Sequence, residues 1–153
     1  MSVTNRDIYK NSLALIGESL DSSYLEDYEE RAPYLIASVA YQTIALDKKI
    51  RRSDGLGEAA RFSPVYLSLD LDFPLCDQLS FPAALYVASL LVIDEDPELS
   101  DNLYDKYCDS VASLEANYSL PTVSDKTGSQ DPDTSTNTKK AECESITEKY
   151  FFD

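Results

Sequence analysis

The sequence predicts a mostly α-helical protein: a small bundle of about four helices with one short β-strand or hairpin, followed by an extended C-terminal arm. Apolar side chains recur at helical spacing through most of residues 8–50 and 81–118. A single stretch, residues 65–73, instead alternates apolar and polar side chains as a strand does. After residue 118 this periodicity ends and polar residues dominate. We therefore expect a helical body over residues 1–118 and a polar arm over residues 119–153.

Two helices are predicted in the first third of the chain. Thr4 or Asn5 can cap the first, with Asp7 placed favourably in its first turn. The second spans residues 25–52, and Pro33 should kink it or start a new helix.

The alternating stretch lies between Pro64 and Pro74, and its apolar positions are Val65, Leu67, Leu69, Leu71 and Phe73. No second stretch of similar quality lies nearby, and a lone strand cannot satisfy its own backbone. Two outcomes remain open: a small hairpin, or pairing with a strand of another chain. Val65, Leu67, Leu69 and Leu71 are accordingly candidates for an inter-subunit strand.

Two further helices complete the predicted body. The stretch from Ala83 to Ile93 is apolar nearly all round, which is typical of a central buried helix. Asp96, followed by Pro97, should cap the last helix, whose apolar positions run from Leu99 to Tyr118.

Charge and composition exclude several classes of function. The chain has 13 basic and 28 acidic residues, a net charge of −15, which argues against nonspecific nucleic-acid binding and against binding to an anionic membrane. It has no histidine, so the usual general base and the commonest metal ligand are missing. No apolar run is long enough to span a bilayer. We expect a non-enzymatic protein with no cofactor.

Surface charge and helix capping explain the acidic clusters better than catalysis does. Asp70 and Asp72 fit the solvent face of the alternating stretch better than a metal site. The run from Asp94 to Glu98 lacks the glycine and the terminal glutamate of a calcium loop, so we interpret it as helix capping. The acidic pairs also differ in spacing from those of helical nucleotide pyrophosphohydrolases.

A cluster of cations ends the second predicted helix, at Lys48, Lys49, Arg51 and Arg52, and Arg61 follows soon after. One interpretation is a solvated helix end whose cations complement the helix dipole. The other is a contact patch for an acidic partner or for another copy of this acidic chain. The chain has 11 tyrosines, and those at positions 9, 24, 28, 34, 41, 66 and 86 exceed what one small core needs, which also suggests interface use.

The order of elements over residues 4–118 resembles the head-to-tail connector (adaptor, or head completion) proteins of tailed bacteriophages. The resemblance rests on the first helix, the long second helix, the segment leading into the apolar third helix, and the acidic break before the last one. The residues that carry it are Asn11–Glu18, Leu25–Arg52, Phe73–Leu75, Ala83–Leu91 and Asp94–Tyr107.

This resemblance implies a structural virion protein in the phage neck, made in the host cytoplasm. It implies a homo-oligomeric ring, a dodecamer matching the portal, with the portal protein on one side and a stopper or tail-completion protein on the other. DNA would pass through the lumen without specific binding. Tyr150, Phe151 and Phe152 would be the partner-binding residues of the arm. The alternative is a small acidic regulatory protein that mimics DNA and inhibits a DNA-binding enzyme.

Overall fold

The computed structural model describes residues 1–17 and 25–119, and this part of the chain is mostly helical, as predicted. Its five α-helices are α1 (Asn5–Leu15), α2 (Leu25–Gln42), α3 (Ile44–Asp54), α4 (Ser80–Leu91) and α5 (Pro97–Tyr118), with a short 3-10 helix at Asp77–Leu79. The chain divides into two compact units, Met1–Tyr107 and Cys108–Asp153. The second unit is described only over residues 108–119, the C-terminal half of α5.

Helix α1 begins with a capping box. The Thr4 hydroxyl accepts a hydrogen bond from the Asp7 amide at 3.1 Å, and the Asp7 carboxylate accepts one from the Thr4 amide at 2.9 Å. The carboxylate also accepts a hydrogen bond from the Thr4 hydroxyl at 2.7 Å, and the bonds from the Thr4 amide and hydroxyl lower the pKa of Asp7 below its usual value. Of the two predicted caps, the structure therefore uses Thr4.

The predicted long second helix is two helices. Helix α2 continues through Pro33, although this residue has no N–H to bond the carbonyl of the preceding turn. The break comes at Thr43, whose hydroxyl donates to the carbonyl of Val39 at 2.8 Å. A hydroxyl that bonds back into the preceding turn competes with regular helix geometry, so the interruption falls at Thr43 and not at Pro33.

Helix α4 is the centre of the first unit, as its composition predicts. Every residue from Pro82 to Leu91 is buried, and the helix packs against both α1 and α2. On the α1 side, the Ser12 hydroxyl donates to the carbonyl of Ala84 at 3.1 Å. On the α2 side, the Tyr86 hydroxyl lies 3.1 Å from both the Ser38 hydroxyl and the Gln42 amide nitrogen. Burial raises the pKa of Tyr86.

Residues 65–73 do not form the predicted strand, and only an isolated antiparallel bridge joins Thr4 to Asp72 in the described part of the chain. The first two amides of α1 have no partner inside their helix, and they bond this segment: Asn5 donates to Leu71 at 2.9 Å and Arg6 donates to Leu69 at 3.0 Å. A turn from Ser68 to Leu71 interrupts the alternation. Leu67 and Leu69 are consequently buried, whereas Leu71 is exposed.

Helix α5 begins where the sequence predicts it. The Asp96 carboxylate accepts a hydrogen bond from the amide of Leu99 at 3.0 Å, so Asp96 caps the helix. Within the first unit, Leu103 and Tyr107 are buried, and the Tyr107 ring meets that of Tyr86 edge to face at 5.2 Å.

No helix in the described residues combines the length and apolarity needed to cross a membrane.

We expect Tyr86→Phe to lower the free energy of unfolding by about 1 kcal/mol, because it removes only the hydroxyl that joins α4 to α2. Tyr86→Ala should cost about 3–5 kcal/mol, because it also empties a fully buried site. Urea denaturation followed by circular dichroism measures both changes. Tyr41→Phe, on the exposed surface of α2, is the matched control and should change stability by less than about 0.5 kcal/mol.

Candidate functional site

A cavity of about 640 Å³ lies between α3 and the segment that follows it. The end of α2 contributes Tyr41, and Gly55 turns the chain out of α3 in the left-handed conformation (φ 70°), which glycine adopts without strain. We call this cavity the basic pocket. Its lining residues are Tyr41, Ile44, Asp47, Lys48, Arg51, Arg52, Leu56, Gly57, Glu58, Ala59, Ala60, Arg61, Phe62 and Pro64.

An ion pair at the inner side of the pocket holds these segments together. The fully buried carboxylate of Asp47 accepts hydrogen bonds from Arg51 Nε at 2.8 Å and from the Cys76 amide at 2.7 Å. The Arg51 guanidinium also donates to the carbonyls of Gly57 at 3.0 Å and Pro74 at 3.3 Å. Arg51 therefore shapes the pocket, and its donors are occupied within the protein.

The same carboxylate affects the neighbouring thiol of Cys76. Burial, followed by hydrogen bonding to Asp47, raises the pKa of Cys76 to about 11. The thiol is therefore protonated at neutral pH and is a poor nucleophile there. Its role in the site is to pack.

Three other cations line the pocket and have no hydrogen bond or ion pair within residues 1–17 and 25–119: Lys48, Arg52 and Arg61. All three are exposed. Of the four cations predicted as a contact patch, Lys48 and Arg52 line the cavity without such partners, Arg51 is bonded within the protein, and Lys49 does not line the cavity. Arg61 reaches the pocket because the chain turns back after Gly55.

A surface rich in tyrosine adjoins the basic pocket. Tyr34 and Tyr41 lie two turns apart on α2, and the segment after Pro64 runs along this helix, with the amide of Leu67 donating to the carbonyl of Pro33 at 3.1 Å. The Tyr34 and Tyr66 rings meet edge to face at 5.2 Å.

The large side chains of this surface are about half exposed to solvent or more. Tyr34 and Tyr41 are each 54% exposed, Tyr66 is 47% exposed and Val65 is 64% exposed. We call these four residues the tyrosine surface. Large apolar side chains grouped in this way, beside unpaired cations, are typical of a protein-binding surface.

Of the two other predicted contact elements, the structure describes the strand candidate but not the arm residues. In the inter-subunit strand candidate, Val65 and Leu71 present their side chains to solvent, and Leu67 and Leu69 are buried. Several backbone groups of this segment already bond α1 and α2, so its exposed side chains are easier to reach than its backbone. The arm residues Tyr150, Phe151 and Phe152 lie outside the described residues.

Residues 93–98, which follow α4 and include the first two residues of α5, form a second charged feature, which we call the acidic turn. Glu95 accepts a hydrogen bond from the Tyr28 hydroxyl, and Asp96 caps α5. Asp94 and Glu98 are exposed and have no such bonds in the part of the chain that the structure describes. Ile93, at the start of the turn, is 44% exposed.

Of the other acidic pair noted in the sequence, Asp70 and Asp72, the first is part of a surface ion-pair network. Asp70 accepts a hydrogen bond from Arg6 at 2.8 Å, and Arg6 also bonds Glu29 at 3.2 Å. Among the described residues, no three carboxylate or thiol side chains come together in a way that would hold a metal ion.

We expect Asp47→Ala to lower the free energy of unfolding by about 3–5 kcal/mol, because it leaves the Arg51 guanidinium and the Cys76 amide without their buried partner. Urea denaturation measures this loss. Asp54→Ala is the matched control: this exposed acid of the same helix bonds only Gln78 among the described residues, so its loss should cost less than about 1 kcal/mol. Equal losses in the two variants would contradict a central role for Asp47.

Comparison of the chain with protein-family models, with curated proteins and with solved structures finds no match.

Proposed function

We propose that this protein is a structural virion protein of a tailed phage, an adaptor ring between the portal and the stopper or tail proteins. The observation that carries the proposal is the tyrosine surface beside the basic pocket. It supports a protein whose work is done by binding other protein subunits. The resemblance of residues 4–118 to phage connector proteins indicates which kind of assembly this is.

Burial of the tyrosine surface would supply much of the binding energy. Tyr34, Tyr41 and Tyr66 each expose about half of their side-chain surface. Aromatic residues bury a large area on binding, and the tyrosine hydroxyl keeps a polar group at the edge of the contact. In the proposed ring, this surface lies against a neighbouring subunit.

The overall charge suits a channel through which DNA moves. A net charge of −15 gives a field that repels the DNA backbone, so DNA in the lumen would pass without being held. The cations of the basic pocket are a local exception to this field. They suit contact with an acidic protein surface, where opposite charges set the orientation of the partners.

We expect the purified protein, at high concentration or with portal rings of the same phage, to assemble into a ring, with twelve subunits on the portal. Mass photometry and co-sedimentation with the portal measure this. The double variant Tyr34→Ser/Tyr66→Ser should weaken assembly by on the order of tenfold or more, because it removes exposed aromatic contact area. Phe81→Ser, at an equally exposed aromatic residue of α4, is the matched control for a general loss of surface aromatics.

A chain that stays monomeric and never joins portal rings would overturn the proposed function. If that monomer instead competed with DNA for a DNA-binding enzyme, the result would favour the alternative of an acidic DNA mimic. In that case the acids, and not the tyrosines, would carry the binding.

The arm provides a separate test. We propose that Tyr150, Phe151 and Phe152 contact the portal, because they form a short apolar group at the end of a polar stretch. Deletion of residues 143–153 should weaken co-sedimentation with the portal and leave the urea midpoint of the body unchanged. Substitution of residues 143–149 alone, with the three aromatic residues kept, should leave portal binding intact. Equal binding by the deletion variant and the full chain would contradict this role.

A further inference from the structure

We propose that the acidic turn of one copy docks in the basic pocket of the next copy, so that the subunits join head to tail. This inference deepens the proposed function and rests on it, because it names the contact through which the ring would form. It commits the basic pocket to one occupant, a second copy of this chain.

The pocket has the chemistry to receive a segment that is both apolar and acidic. Ile44, Leu56 and Phe62 give it an apolar lining. Lys48, Arg52 and Arg61 line the same cavity with no ion pair inside the described chain, so their charges are available to a ligand. Arg51 is held by Asp47 and by two backbone carbonyls, and it keeps the cavity in shape.

The acidic turn has the complementary chemistry. Ile93 offers an exposed apolar side chain, and Asp94 and Glu98 offer two carboxylates without partners among the described residues. The other two acids of the turn hold its conformation, because Glu95 bonds Tyr28 and Asp96 caps α5. A turn that is already ordered loses little conformational entropy when it binds.

The turn cannot fill the pocket of its own chain. Tyr28, near the start of α2, contacts the turn, whereas Tyr41, near the end of the same helix, lines the pocket. These residues are separated by about 20 Å along the helix, at 1.5 Å per residue. The two complementary surfaces therefore lie toward opposite ends of α2, and they can be joined only between two copies.

This placement determines the kind of assembly. Two different surfaces on opposite ends of one subunit make a heterologous contact, which closes into a ring when the rotation per subunit allows it. The strong negative charge of each copy opposes association in general. The local attraction between the pocket and the turn offsets this repulsion and selects the orientation in which the cations meet the acids.

The test uses two full-length charge-reversal variants. Lys48→Glu/Arg52→Glu makes the pocket acidic, and Asp94→Lys/Glu98→Lys puts two cations in place of the two acids of the turn that have no partner among the described residues. Each variant alone then has like charges on its two docking surfaces, and we expect its self-association in analytical ultracentrifugation to weaken by on the order of tenfold or more. Mixed in equal amounts, the two variants present opposite charges at every contact, so they should assemble with alternating subunits.

Controls separate the local contact from total charge and from folding. Glu26→Lys/Glu30→Lys changes net charge as much as the turn variant does, at exposed sites on α2, and should leave association intact or strengthen it. The neutral variants Lys48→Gln/Arg52→Gln and Asp94→Asn/Glu98→Gln avoid unfavourable charges at the helix ends, and each should also weaken association. Circular dichroism checks that every variant is folded.

Rescue in the mixture, with loss in each variant alone, supports the inference. Unchanged association of both reversal variants, or a mixture that fails to assemble, overturns it. The proposed function is measured separately, by binding of the unmodified chain to portal rings. An unmodified chain that binds the portal, alongside reversal variants that still self-associate normally, would leave the proposed function standing and remove only this contact.

Discussion

The ion pair between the buried carboxylate of Asp47 and the partly exposed guanidinium of Arg51 is the interaction on which the rest of the candidate site depends. One carboxylate joins α3 to the backbone of Cys76, and one guanidinium joins α3 to the carbonyls of Gly57 and Pro74. The segment between α3 and α4 contains no regular secondary structure before the 3-10 helix. Hydrogen bonds from Asp47 and Arg51 of α3 help to hold the path of this segment. In a sheet, a ladder of backbone hydrogen bonds would do so.

This arrangement separates two roles within one cluster of cations. Arg51 is committed to the fold, whereas Lys48 and Arg52, its neighbours in sequence, face the cavity without partners among the described residues. The buried carboxylate of Asp47 is paired with Arg51, so it does not neutralise Lys48 and Arg52. The positive charge of these two residues is therefore concentrated at the surface. On a protein with more than twice as many acidic as basic residues, such a concentration gives binding partners a defined orientation.

The elements predicted well from sequence are those decided locally. The caps at Thr4 and Asp96 and the apolar run of α4 depend on residues within a few positions of one another. The strand predicted over residues 65–73 does not form in the described structure. Two backbone carbonyls of this segment bond the first amides of α1, which are some 60 residues away in sequence, so the local pattern could not reveal these partners. Lys48, Lys49, Arg51 and Arg52 were predicted as a possible contact patch, but the structural role of Arg51 depends in part on the distant carbonyl of Pro74. The sequence carries no local signal for such a contact.

The bonds between α1 and residues 69–71 also bear on the order of folding. Helix α1 is synthesised before residues 69–71, so two of its first-turn amides find their acceptors only after residue 71 has been made. Closing a chain segment of this length carries an entropic cost, and long-range contacts of this kind slow folding. A nascent chain that stops before residue 69 therefore carries a helix α1 whose first two amides lack these acceptors and are open to others.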